Sequence, residues 1–249
     1  MNKRAIRDSF DRAAASYDSV AGLQRQVCEL LDAVLPAPTF ASSILDAGCG
    51  TGYGLSLLAK RWPAARLIAA DFAHGMLKST AGERVCADIE ALPFPADSFD
   101  LYWSSLSIQW CDTHRAIAEA ARVISPGGTL AISSLGVGTL AELHTAFADA
   151  DHHRHVLEFS PDQALADACT AAGLQNVKLE TRSIRRYHPD LKTLLRALKS
   201  LGANQVGTNR RPGLLGRRVW QDVEARYESL READGLPATY EVILCTASS

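Results

Sequence analysis

The chain lacks most of the features that would tie it to a metal, a membrane or an oxidising compartment. Its six cysteines (Cys28, Cys49, Cys86, Cys111, Cys169 and Cys245) are scattered, with no CxxC pair and no Cys/His spacing suited to zinc. That argues against a disulfide framework and for free, buried thiols in a reducing compartment. No apolar segment follows the charged start Lys3-Arg4, so the N-terminus is not a secretory signal. No apolar run approaches the roughly 20 residues needed to span a bilayer. A formal charge of −2 over 249 residues gives no global pull toward nucleic acid or a membrane surface. Neither repeats nor low-complexity tracts occur. With 47% hydrophobic and 22% charged residues, the composition is that of a soluble globular protein, expected in the cytoplasm.

What is present is an alternation of short apolar runs with helical patterns, the mark of a parallel α/β sheet. Strands are expected at about 43–47, 66–71, 84–88, 99–105 and 128–134. Helices are expected at Tyr53–Lys60, His114–Val123 and Thr139–Ala150, with Gly127-Gly128 separating the second of these from the fifth strand. A helix at about 161–172 stops at Gly173. Strands at about 177–187 and 239–245 follow. One domain results: cap helices over 1–36 (about 4–16 and 19–35), a sheet core over 42–188 and 237–249, and a helical insert over 189–236. Inserts of that length in compact domains are usually functional lids or disordered.

The most informative stretch is Ile44-Leu45-Asp46-Ala47-Gly48-Cys49-Gly50-Thr51-Gly52. An apolar strand ends in an acidic residue and a turn of three alternating glycines, where a nucleotide-like ligand lies against bare backbone. Dinucleotide sites pair such a turn with an acidic residue about 20 positions on. Asp71 closes the second strand at that distance, and its carboxylate accepts both ribose hydroxyls. Its competing role is helix N-cap for the segment from Ala73. Asp88, read as ending the third strand, suits an exocyclic adenine amine, and Ile89 suits the ring.

Asp46-Ala47-Gly48-Cys49-Gly50-Thr51-Gly52, Asp71, Asp88-Ile89 and Leu92-Pro93-Phe94…Phe99-Asp100-Leu101, in that order, resemble the class I S-adenosylmethionine-dependent methyltransferases. The resemblance spans about Ser43–Ser134 and the two C-terminal strands. It implies a Rossmann-like seven-stranded sheet with the last strand antiparallel, and S-adenosyl-L-methionine as cofactor. By the same resemblance Gly48, Gly50 and Gly52 approach the methionine moiety, Asp71 binds ribose, and Asp88 and Ile89 meet adenine. Asp46, Phe72, Met76, Ser105 and Leu106 complete the implied cofactor set.

Four further strings cover nearly the whole chain. They are Lys3-x-x-Ile6-x-x-Ser9-Phe10 through Tyr17-Asp18 to Gln24-Arg25, Ser107-Ile108-Gln109-Trp110, Leu195-Arg196 through Gly202-Ala203-Asn204, and Leu236-Pro237-Ala238-Thr239-Tyr240-Glu241. Together they resemble the malonyl-acyl carrier protein O-methyltransferases of biotin synthesis, with Ser-Ile-Gln where that family would carry Ala-Leu-Gln. The implied reaction methylates the free carboxylate of a malonyl thioester. A carboxyl of reference pKa about 4 is already ionised at neutral pH. It serves as its own nucleophile, so no catalytic base is expected. Tyr17 and Gln24 are expected to close over the cofactor, Tyr17 being read equally well as a core aromatic. Gln109, Trp110 and His155 are expected to shape the acceptor pocket.

Arg196 and Lys199 share a helix face and are candidates for holding the substrate acid, against a plainly solvated face. The tract Lys178, Arg182, Arg185, Arg186, Lys192, Arg196, Lys199, Arg210, Arg211, Arg217 and Arg218 is basic within a nearly neutral chain. It suits docking of an acidic carrier protein over 178–218, or malonyl-coenzyme A, and has few aromatics to stack nucleic-acid bases. His152-His153-Arg154-His155 reads as surface loop rather than a metal site. The alternatives are a methyltransferase acting on another small acceptor such as a quinone precursor, or a regulatory module that binds the cofactor without turnover.

Overall fold

In the computed structural model, residues 2–36, 41–203, 213 and 215–249 are described. Two cap helices, α1 (Lys3–Val20) and α2 (Gly22–Val34), precede the sheet. Then come β1 (Ser43–Ala47), α3 (Tyr53–Arg61), β2 (Arg66–Asp71), the short α4 (His74–Leu77), β3 (Glu83–Cys86), β4 (Phe99–Ser105), α5 (Thr113–Val123) and β5 (Ile124–Leu135). The second half holds α6 (Ala141–Phe147), α7 (Asp162–Ala171), β6 (Gln175–His188), α8 (Leu191–Ser200), α9 (Arg217–Glu228) and β7 (Leu236–Ser248).

The seven strands form one sheet in the order β3-β2-β1-β4-β5-β7-β6. β1 to β5 pair in parallel, and β7 runs antiparallel between β5 and β6. Strand order reverses between β1 and β4, so their carboxyl ends open the crevice where such sheets take ligands. Side chains alternate across the sheet. Tyr102 and Trp103, neighbours on β4 and both fully buried, therefore serve opposite layers. Trp103 packs with Leu31 of α2 and Leu58 of α3, whereas Tyr102 packs with Ile117 of α5 and Leu165 of α7.

β6 and β7 form a long antiparallel pair from Gln175↔Ser248 to His188↔Leu236, so the insert carrying α8 and α9 is the loop of a hairpin. Asp190 accepts from Thr193 N at 2.7 Å and starts α8. Leu191 and Leu194 bury one face of that helix. α8 packs on α1 and α9 packs on α6, so the insert roofs the same end of the sheet as the caps.

Four local expectations need correction. β3 ends at Cys86, leaving Asp88 two residues beyond it in an isolated bridge to Ala91. Gly127 and Gly128 lie inside β5, at a register shift against β4, rather than between helix and strand. The helix expected over Thr139–Ala150 is confined to Ala141–Phe147, because Leu140 takes a left-handed φ of 56° and Thr139 Oγ1 exchanges hydrogen bonds with the β7 backbone at Glu241. Cys86 is exposed and Cys111 half-buried; the other four cysteines are buried.

Two buried phenols test the packing. Tyr227 donates to Pro237 O at 2.7 Å, while the Tyr102 hydroxyl has no hydrogen-bond partner. Tyr227→Phe is expected to cost about 1–2 kcal/mol in urea unfolding, since a buried carbonyl loses its donor. Tyr102→Phe is expected to be neutral or stabilising by up to about 1 kcal/mol.

Candidate functional site

The crevice is built from strand ends. Beyond β1, Gly48, Gly50 and Gly52 take φ of +76°, +54° and +92°, a region closed to most side chains. The backbone N–H groups of Gly48 and Cys49 both donate to Ala70 O, at 2.7 and 3.0 Å, so the turn is tied to the end of β2. Beyond β4, Ser107 Oγ donates to Gly48 O at 3.0 Å. A Cβ on Gly48 would stand 2.1 Å from that hydroxyl oxygen, so glycine is required for the approach of the two loops. Gly52 caps α3 and lies against Thr80 outside the cleft lining; it shapes the turn and does not face the cofactor pocket.

Asp71 sits at the centre. One carboxylate oxygen accepts from Gly50 N at 2.9 Å and the other from Ala73 N at 2.8 Å. The competing role of helix N-cap falls to Ala73, which has no side-chain cap; Asp71 only ties the loop before α4, and each of its oxygens keeps a lone pair for a hydroxyl. Burial pushes Asp71 up to about 6. Asp46, also buried, is pushed up to about 8 by burial and by the charge of Asp71. Its Oδ2 has no hydrogen-bond partner and packs beside Gly54 of α3, where a Cβ would stand 2.8 Å from it, while Asp46 itself belongs to the part of the cleft lined by Gly48, Gly50 and Gln24.

The adjoining part of the cleft is lined by Phe72, Met76, Asp88, Ile89, Ser105 and Leu106, with Tyr17 bridging both parts. These surroundings fit S-adenosylmethionine. An unpartnered buried carboxylate oxygen at Asp46 suits an ammonium donor, Asp71 suits a ribose diol, and Ile89 beside Asp88 suits an adenine ring and its amine. A Cβ at Gly50 would meet only Tyr17 Cε1, at 3.9 Å, so the glycine leaves open space for a ligand. Lys3 reaches across from α1 to Asp88 and to Glu90, the latter at 2.8 Å. This clamp escaped the sequence reading, because 85 residues separate Lys3 from Asp88 and no local pattern announces the pair.

A second cavity of about 560 Å³ shares Phe10, Tyr17, Leu106 and Trp110 with the cofactor cleft. Phe10 meets Trp110 edge to face, with ring centroids 5.6 Å apart. Leu143 and Phe147 of α6 and Leu195 and Leu198 of α8 form further wall. Gln109 is in the lining; its Nε2 donates to Leu106 O at 2.7 Å, which leaves Oε1 buried without a partner. His155 is also in the lining, stacked on Phe147 at 4.3 Å and held by Asp151 at 2.9 Å. No group of three or more potential metal ligands exists among the described residues. Arg196 and Lys199 are exposed and absent from the lining, since α8 turns its leucines inward. The structure therefore gives them no place beside the acyl pocket.

The turn carries two predictions. Gly48→Ala is expected to unseat Ser107 and weaken S-adenosylhomocysteine binding by at least about tenfold in calorimetry. Gly82→Ala, at a comparable φ of +82° but in open space, is expected to leave that affinity unchanged. The second concerns pH. The folded protein holds the Asp46 proton up to about pH 8, whereas an unfolded Asp releases it near 3.9. Between those values the native state binds more protons, so this contribution to stability is lost as pH rises. The ligand-free protein's Tm is expected to fall between pH 6 and 8, above the Asp71 transition, and Asp46→Asn to flatten that fall in scanning calorimetry.

Comparison with known proteins agrees with this geometry. Residues 45–132, the stretch from β1 to β5, match the methyltransferase domain family. A malonyl-[acyl-carrier protein] O-methyltransferase of Herminiimonas arsenicoxydans is 44% identical over 99% of this chain and 96% of its own. Another of that name, from Dechloromonas aromatica, is 46% identical over 97% and 93%. In fold, the chain is similar to a Haloferax volcanii methyltransferase solved with its Trm112 activator, with a TM-score of 0.60 at 19% identity over 96% of each chain. Full-length identity of this order, with the glycine turn and Asp71 assembled at the switch point of the sheet, places the chain in the malonyl-[acyl-carrier protein] O-methyltransferase family of S-adenosylmethionine-dependent methyltransferases.

Proposed function

We propose that the protein transfers the methyl group of S-adenosylmethionine to the free carboxylate of malonyl-acyl carrier protein, giving the methyl ester used in biotin synthesis. The observation that carries this reading is an apolar acceptor cavity that shares four walls with the cofactor cleft. When bound, the cofactor supplies a methyl on a positively charged sulfur, an electrophile that needs no activation. The protein's own task is to bring a carboxylate oxygen into line with that methyl and keep water away, which is proximity catalysis. Phe10, Trp110 and the α8 leucines supply the water-excluding walls. Tyr17, common to every part of the site, supports the closing role ascribed to the caps. No proton has to be removed from an acid that is already ionised. The aromatic walls also suit a ring acceptor such as a quinone precursor, but methylation at carbon would want a base.

The carrier is proposed to dock on the insert. Much of the basic tract is already engaged: Arg182 pairs with Glu180, Arg185 with Glu232, Lys192 with Glu224, and Arg186 binds Gln26. Arg210 and Arg211 lie outside the described residues, as does Asn204. Arg196, Lys199, Arg217 and Arg218 remain exposed on α8 and α9. The same two helices wall the cavity through Leu195, Leu198 and Trp220. An acidic partner held by these cations would bring its thioester arm to the acceptor cavity. Malonyl-coenzyme A offers the same arm without the acidic protein. No described helix is long and apolar enough to cross a membrane, and the cytoplasm, where acyl carriers work, is the proposed location.

Purified protein with S-adenosylmethionine and malonyl-acyl carrier protein is expected to yield the malonyl methyl ester in mass spectrometry; absence of the ester sinks the reading. Arg196→Glu with Lys199→Glu is expected to raise KM for malonyl-acyl carrier protein about tenfold at low salt. Turnover of malonyl-pantetheine and binding of S-adenosylhomocysteine are expected to stay unchanged. Equal KM values for the carrier substrate would remove the docking site.

A further inference from the structure

Within the proposed reaction, the structure singles out a residue for the substrate's acid. A malonyl group entering the acceptor cavity brings a full negative charge among leucines and aromatic rings. An ionised carboxylate is not held in such surroundings without a cation or several donors. Six polar side chains in the described lining are relevant: Tyr17, Gln24, Gln109, Arg154, His155 and Tyr240. The hydroxyls of Tyr17 and Tyr240 can donate but carry no charge, and Gln109, Gln24 and His155 are poorly suited to an anion. Gln109 spends its N–H on Leu106 O and turns a bare oxygen to the interior, where a carboxylate would meet lone pairs. Gln24 likewise presents an unpartnered buried oxygen. The two oxygens suit N–H donors, such as the amides of a pantetheine arm or an ammonium. The Nε2 of His155 is taken by Asp151.

Arg154 differs from all of these. It is the one Lys or Arg among the described lining residues, and no Asp or Glu lines the cavity with it. Its side chain is 29% exposed, so it spans cavity and surface. Its guanidinium holds Glu158 at 2.7 Å, but the Glu158 side chain is 74% exposed. An exposed pair of this kind is worth little. Glu158 returns to water at small cost when another carboxylate takes its place. The guanidinium fork matches a carboxylate with two parallel donors, or holds one oxygen and leaves the other free. The neighbouring His155, stacked on Phe147 and held by Asp151, fixes the backbone from which Arg154 projects.

We infer that Arg154 is the specificity residue that receives the free carboxylate of the acyl group, exchanging Glu158 for the substrate and leaving one substrate oxygen free to take the methyl. The inference rests on the proposed reaction, and the test separates the two. If wild-type protein makes no methyl ester from malonyl-acyl carrier protein, the reaction itself is wrong. Given that activity, Arg154→Gln is expected to raise KM roughly 10- to 100-fold with both malonyl-acyl carrier protein and malonyl-pantetheine. Arg154→Lys is expected to recover part of the loss. S-adenosylhomocysteine binding, measured by calorimetry, is expected to match wild type in both variants. Acetyl-acyl carrier protein, which lacks the carboxylate, is expected to compete equally with wild type and Arg154→Gln. Glu158→Gln is expected to leave KM unchanged or lower it, because it frees the guanidinium.

Three results would overturn the assignment. One is a KM for malonyl-pantetheine unaltered by Arg154→Gln, since that substrate keeps the carboxylate but lacks the phosphate; the arginine would then read the arm. A second is a rise in KM on Glu158→Gln equal to that on Arg154→Gln, which would make the pair structural. The third is weaker competition by acetyl-acyl carrier protein against the Arg154→Gln variant.

Discussion

The hydrogen bond from Gly50 N to the Asp71 carboxylate, with Ala73 N on the other oxygen, is the contact around which the site is organised. It joins the turn after β1 to the end of β2. Ser107, beyond β4, grips the same turn through Gly48 O. Three strand ends are thereby locked at the point where strand order reverses, and the cleft exists because they are locked. The arrangement concentrates acid. Asp46 and Asp71 are both buried and both pushed upward. A cleft that keeps two carboxyls in this condition is strained toward a ligand with hydroxyls and a positive charge.

Around that rigid centre the caps and the insert do a different job. α1 is clamped by Lys3 at Asp88, and Asp11 accepts from Gly75 N at 2.6 Å in the first turn of α4. The helix lies over the Asp88 end of the cleft and contributes Phe10 and Tyr17 to both compartments. The insert closes the far side with leucines. The cofactor pocket thus combines backbone and carboxylates with apolar side chains such as Phe72, Met76 and Ile89, whereas the acceptor cavity is walled mainly by side chains, among them those of α1, α6 and α8. One compartment recognises by hydrogen bonding. The other excludes water and leaves charge recognition to a residue at its edge.

Much of the cofactor site was legible in the chain. Asp46, Asp71, Asp88 and the glycine turn are local signals, because strand ends and tight turns write themselves in residues a few positions apart. Where the reading slipped, the cause was local geometry. Asp88 lies beyond its strand, and Gly52 serves the turn and not the lining. Gly127 and Gly128, which look like a helix stop, form an irregularity inside β5. Arg196 and Lys199 are at helical spacing, but spacing alone does not say which face meets the cavity. Packing against α1 sends the leucines in and the cations out.

The sequence by itself determined the fold class, the cofactor cradle and the family resemblance, because hydrophobic period, glycine position and strand-end acids act over short stretches of chain. Only the tertiary structure decided that Lys192 and Arg185 are neutralised, since Glu224 and Glu232 reach them from distant elements. Only the tertiary structure brought Lys3 to Asp88 and set Arg154 in the wall of an apolar cavity. Those contacts join residues far apart in the chain. Burial and charge compensation are properties of the assembled interior, and no local pattern encodes them.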